Sequence, residues 1–139
     1  MFRLKSKLLM PLALLGGLLT VCGPLFGHHG SAAYGRKVVI LKPATVVRFR
    51  WANPHTLVLF DVKDDDGNVA HWAGETGSAA SIKPLGWTKN TLQPGDLITV
   101  YIYPHKFDKA FGRIAKIILA DGKTLRDSSR GDGGDISRY

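Results

Sequence analysis

The sequence predicts an all-β fold, a small five- to six-stranded Greek-key barrel. The barrel is closed or partly open and OB-like, with one short helical connector between strands 3 and 4. Three observations predict it. The chain has 139 residues, a length suited to one domain and too short for a Rossmann pair or a TIM barrel. Beyond residue 35 the apolar residues fall in short runs rich in β-branched and aromatic types, separated by turn residues. Only one stretch between those runs, Gly77 to Gly86, suits a helix.

The first strand is expected over Val38 to Trp51, interrupted at Lys42-Pro43. Simple alternation puts Val47, Phe49 and Trp51 on one face and Val46, Arg48 and Arg50 on the other. A second strand runs from about His55 to Lys63. Asp64-Asp65-Asp66-Gly67-Asn68 turns the chain into a third, from about Val69 to Thr76. Ser78 to Ile82 supplies the helical connector, closed by Pro84 and Gly86. Gln93-Pro94-Gly95-Asp96 is a turn with Pro and Gly in its central places. Leu97 to Tyr103 and Ile114 to Leu119 are the last two strands, and Asp121-Gly122 turns the chain after them. Closing such a sheet removes exposed edges. Phe49, Trp51, Phe60, Trp72 and Trp87 are the expected bulk of the core, with Trp51 and Trp72 substantially buried.

The two ends of the chain differ from this pattern. Arg3, Lys5 and Lys7 precede an apolar run from Leu8 to Cys22, and Gly23 to Gly27 follow. This is the three-part layout of a secretory signal peptide, so residues 1–27 are expected to be removed near Gly27 and the rest to reach the periplasm. A retained membrane anchor is the competing reading, because no charge occurs between Lys7 and Arg36. Pro11, Gly16-Gly17 and Pro24 suit a short signal sequence better. Residues 28–125 then form the barrel, and residues 126–139 read as a flexible tail with one aliphatic residue, Ile136. Arg130-Gly131-Asp132 within it is a chance triplet on this reading. The formal charge of +8 falls to +5 once the leader is gone. The single cysteine, Cys22, lies in the leader, so the folded part has no disulfide, no thiolate metal site and no thiol nucleophile.

Several short motifs occur in order: His28-His29, Phe49-x-Trp51-x-Asn53-Pro54-His55, Trp72-x-x-Glu75, Gly86-Trp87, Leu92-x-Pro94-Gly95-Asp96 and Asp121-Gly122-Lys123-x-Leu125. Each is weak singly. Together they resemble a family of small exported bacterial proteins, domain of unknown function 6152, over roughly residues 28–125. The resemblance implies export and a small β domain, and it brings no activity with it.

The remaining chemistry rests on His28, His29, His55, His71, His105 and the single glutamate, Glu75. Without thiolate, a transition-metal site must use imidazole, carboxylate or the new N-terminus. Cleavage after Gly27 makes His28 the first residue, and its amine and Nδ1 can chelate copper as a histidine brace. Cleavage after Phe26 gives Gly27-His28-His29, whose backbone amides suit square-planar Cu(II). His55 is the candidate remote imidazole. The ordinary alternative is that a His-rich terminus binds metal weakly without purpose and that His55 caps a turn. Glu75 is a candidate acid or base beside His55, or else a rim residue bonded to backbone N–H groups, Arg48 or Arg50. No nucleophile accompanies it, so no enzyme is expected.

Arg48, Arg50 and Lys63 suggest a basic strip, which on an OB-like barrel would suit single-stranded nucleic acid. Export argues against that partner, and no stable membrane insertion is expected after processing. The Asp64–Asn68 run lacks the far bidentate Glu of a calcium loop. The function expected is an exported periplasmic binding protein, with copper or another transition metal held through His28, His29 and His55. The alternative is a metal-free OB-like adaptor for a protein, an oligosaccharide or an anionic envelope component.

Overall fold

The computed structural model describes residues 31–128. Six strands build it: β1 (Val39–Arg50), β2 (Leu57–Lys63), β3 (Val69–Glu75), β4 (Leu97–Pro104), β5 (Phe111–Leu119) and β6 (Thr124–Arg126). A short helix, α1 (Ala79–Ile82), continued by a 3₁₀ turn over Lys83–Leu85, lies between β3 and β4. The hydrogen-bonded order is β3-β2-β1-β4-β5-β6, and a further parallel pairing of β3 with β5 closes β1 to β5 into a ring. β6 adds to the outer edge of β5. The expected five-stranded OB-like barrel with a helix after the third strand is the architecture observed. The sixth strand follows the Asp121-Gly122 turn.

The alternation of each strand fills the barrel. Val46, Val58, Phe60, Val100, Ile102, Ile114 and Ile117 are almost fully buried, and Trp87 and Ile82 plug one end from the connector. Trp87 contributes the largest buried side chain. Its ring stacks on Phe49 and its Nε1–H donates to the Arg126 carbonyl at 2.8 Å, so its one polar atom is satisfied. Trp51 and Trp72 pack against the core and are partly buried, whereas Trp87 is fully enclosed. Trp72 lies nearly parallel to Phe60 at 6.4 Å, near the exposed beginning of β3.

The expected facing of β1 needs correction. Val46 is 1% exposed and Val47 is 49% exposed. The register against β2 shifts between Val46 and Arg48, so Val47 is an extra bulged residue and the alternation resets after it. Phe49 consequently returns to the core side. A second shift, between Leu41 and Ala44 against β4, lets the strand continue through Lys42-Pro43, where a missing N–H is tolerated. Both Lys42-Pro43 and Asn53-Pro54 are cis peptides.

The turns follow the residue chemistry. Asn68 donates from its backbone and side chain to the Asp64 carboxylate, which holds that acid below its ordinary value, and Gly67 sits at φ +87°. Asp96 N–H donates to Gln93 C=O at 3.1 Å with Gly95 at φ +94°, the geometry of a type II turn. Ser78 caps α1 by accepting from Ser81 N–H.

The seam between β3 and β5 pairs two glycines, Gly74 with Gly112. A Cβ on Gly74 would lie 2.6 Å from the Ile114 side chain, and one on Gly112 would lie 2.6 Å from the Tyr103 carbonyl oxygen. The barrel closes there because neither strand carries a side chain at the crossing.

Candidate functional site

The loop from Trp51 to Thr56 joins β1 to β2 and presents His55 at one rim of the barrel. Thr56, fully buried, anchors it. Its N–H donates to Gly77 C=O, its C=O accepts from Thr76 N–H, and its hydroxyl donates to Ala52 C=O at 3.2 Å. His55 beside this anchor is half-exposed. Its Nδ1 lies 3.2 Å from the Thr76 carbonyl, so the tautomer that bonds there carries its proton on Nδ1. Nε2 is then the ring nitrogen through which His55 meets anything else. Thr76 follows the last residue of β3, so the histidine and the strand end are coupled through backbone.

Glu75 ends β3 on the same rim. Its Oε2 lies 3.9 Å from His55 Nδ1, and its Oε1 accepts a short hydrogen bond from the Tyr34 hydroxyl. Burial, followed by that bond and the carboxylate's negative charge, pushes the Tyr34 phenol well above its usual range, while Arg113 acts in the opposite direction. Arg113 is the register neighbour of Glu75 across the seam. Its Nε and Nη2 both donate to Asp127 Oδ2, at 3.0 and 2.6 Å, and Asp127 Oδ1 accepts from Gly77 N–H at 2.5 Å. Side chains from 31–38, β3, β5 and the residue after β6 therefore meet at one end of the barrel.

An aromatic group adjoins them. Tyr34 forms a bridge with His105, and its ring meets His105 edge-on at 5.5 Å. His105 also meets Phe107 and Phe111 in T-shaped contacts. This cluster supports the loop between β4 and β5.

Of the three predicted metal ligands, His55 is at this rim, whereas His28 and His29 lie outside the described residues, as do the leader and residues 129–139. Among the described residues no group of three or more His, Cys, Asp or Glu side chains could hold a metal ion. His71 is on the outer face of β3, paired with Asp61 at 2.7 Å, and is exposed as its alternation with Trp72 requires. Glu75 is near His55, as the sequence suggested, but its partner is Tyr34 rather than Arg48 or Arg50. The proposed strip is divided: Arg48 and Arg50 are near the start of β2 and Lys63 is at its other end. Arg126 and Asp127, the first residues of the expected tail, belong to β6 and to the Arg113 ion pair. Tyr34, Arg113 and Asp127 carried no motif in the sequence. Their meeting is a consequence of the β3–β5 closure.

Among the described residues no helix is long and apolar enough to cross a membrane. No curated protein and no solved structure matches the chain. The model of a family of unknown function, DUF6152, matches residues 16–114, including His28-His29, the Asn53-Pro54-His55 loop and the seam through Arg113. The chain belongs to the family of unknown function DUF6152.

Proposed function

We propose that the protein is an exported periplasmic binding domain that holds one Cu(II) ion through His28, with His29 and His55 assisting. The observation that supports it most is the setting of His55. Its Nδ1 is engaged by the Thr76 carbonyl and flanked by Glu75, which makes Nε2 the ring nitrogen that would take a metal. Metal-bound histidines have this arrangement: one nitrogen fixed by a carbonyl or carboxylate, the other given to the ion. Tyr34, six residues after His28, is tied to that same Glu75. Six residues reach at most about 20 Å, so the chain ahead of Tyr34 is long enough to return to His55. The absence of thiol in the mature chain leaves imidazole and the terminal amine as the nitrogen donors suited to Cu(II).

Copper titration of the processed protein tests this, with the N-terminus read by mass spectrometry. One equivalent should bind. Four residues, Met-Ala-Ala-Ala, added before His28 remove the amine chelate, keep every side chain and leave no histidine among the first three residues, and His55→Ala removes the remote imidazole. Each should weaken binding, and affinity should fall as pH drops below the amine's ordinary value of about 8. Equal affinity in all three forms means adventitious binding and favours the metal-free adaptor. Recovery of only full-length chain in the inner membrane rejects export with cleavage.

A further inference from the structure

We propose that the loop between β4 and β5 is a docking tip for the surface of an anionic phospholipid bilayer, with Phe107 entering the interface and flanking cations meeting the headgroups. Phe107 is 87% exposed, against 56% for Leu97, the next most exposed large apolar residue described. Held in water, that ring contributes no apolar burial to the fold.

This loop is not slack. His105 N–H donates to Phe111 C=O and Lys106 N–H to Ala33 C=O. Phe107 N–H donates to His105 Nδ1 at 3.3 Å, and Ala110 N–H donates to Asp108 Oδ1 at 3.1 Å. The aromatic contacts of His105 with Tyr34 and Phe111 stiffen the base. The fold therefore presents Phe107 outward on a braced support.

Charge selects the partner. Lys106 and Lys109 flank Phe107, and Lys106 Nζ is fixed against the Ala32 carbonyl. Arg36 and Lys37, both exposed, run beside the end of β4, since Gly35 bonds Pro104 and Val39 pairs with Ile102. Asp108 is the one carboxylate within the loop. An apolar tip with Lys106 and Lys109 beside it and Arg36 and Lys37 along the strand at its base matches a bilayer whose hydrocarbon boundary lies beneath anionic headgroups.

The proposal uses none of His28, His29 or His55, so its failure and that of the copper reading are separable. The test is flotation of the processed protein with vesicles of phosphatidylethanolamine plus phosphatidylglycerol, against phosphatidylcholine alone. The processed form is needed because the apolar run at residues 8–22 would partition by itself. The anionic vesicles should bind the protein, and the neutral ones should bind it far less. Phe107→Ser should weaken partitioning at least roughly tenfold. Lys109→Gln and Lys37→Gln should each weaken it about fivefold, and added salt should reduce it. All three sites are exposed, so melting curves should remain unchanged. Absence of binding, equal binding to neutral vesicles, or unchanged binding by Phe107→Ser overturns the proposal.

Discussion

The hydroxyl of Tyr34 and the Oε1 of Glu75 are joined by a hydrogen bond that spans 41 positions of sequence. It fastens the segment ahead of β1 to the end of β3, beside His55. Without it the Glu75 carboxylate, only 15% exposed, would keep a weaker set of partners. Tyr34→Phe should therefore cost about 1–3 kcal/mol in denaturant melts at neutral pH. Loss of nothing measurable would mean that water replaces the phenol without penalty.

The same bond gives an alkaline prediction. The fold holds the Tyr34 phenol above its ordinary value of 10.0, so the native state keeps a proton that the unfolded chain releases. Its stabilising contribution is complete below pH 10 and is lost as pH rises through the folded-state value. The melting-temperature gap between wild type and Tyr34→Phe should shrink above pH 10. A constant gap across that range would show that the phenol is not shifted.

Trp87→Ala should be the most damaging of the three tryptophan truncations, at about 3–5 kcal/mol. It empties the largest buried volume and leaves the Arg126 carbonyl without its 2.8 Å donor. Trp51→Ala, at a half-buried position, should cost less. Parallel urea melts check the order, and a larger effect at Trp51 contradicts it.

Gly112→Ala should destabilise by about 1–3 kcal/mol, because the new methyl meets the Tyr103 carbonyl oxygen, which is backbone and cannot rotate aside. Gly74→Ala meets Cγ1 and Cδ1 of the buried Ile114, side-chain rather than backbone atoms, and should cost a similar amount or less. Thermal melts of the two variants, with a double variant for coupling across the seam, distinguish the effects.

Val47→Thr should change stability by less than about 0.5 kcal/mol, whereas Val46→Ala should cost clearly more. The pair tests the bulge in β1 directly, since strict alternation would reverse the outcome. Urea melts provide the comparison.

The five barrel strands, the helical connector and most turns were legible because each depends on local chemistry. Gly95 and Gly67 mark positive φ, and Leu97 to Ile102 alternates in burial. The β1 facing was not legible, because a bulge inserts one residue without a composition signal: Val46 and Val47 are the same residue type. Trp51 and Trp72 illustrate a second limit. Aromatic size predicts contact with the core, but their places at a loop and near an exposed strand start decide how much of each ring remains in water. At the rim, His55 and Glu75 were visible as a pair because their motifs bracket β2 and β3. Tyr34, Arg113 and Asp127 were not, since their approach requires β5 to be parallel to β3, a tertiary fact absent from any local window. β6 was likewise too short to distinguish itself from the residues after the Asp121-Gly122 turn.

The glycine seam sets an order in time. β1 to β3 can pair with their sequence neighbours as soon as they exist, but residues 73–75 acquire their second partner only when residues 111–113 arrive. Loops of that length close slowly relative to hairpins, so the ring is completed late. During synthesis there is an interval in which the end of β3 offers unpaired backbone groups to any passing strand. A ribosomal pause or truncation between Thr76 and Ala110 would prolong that exposure.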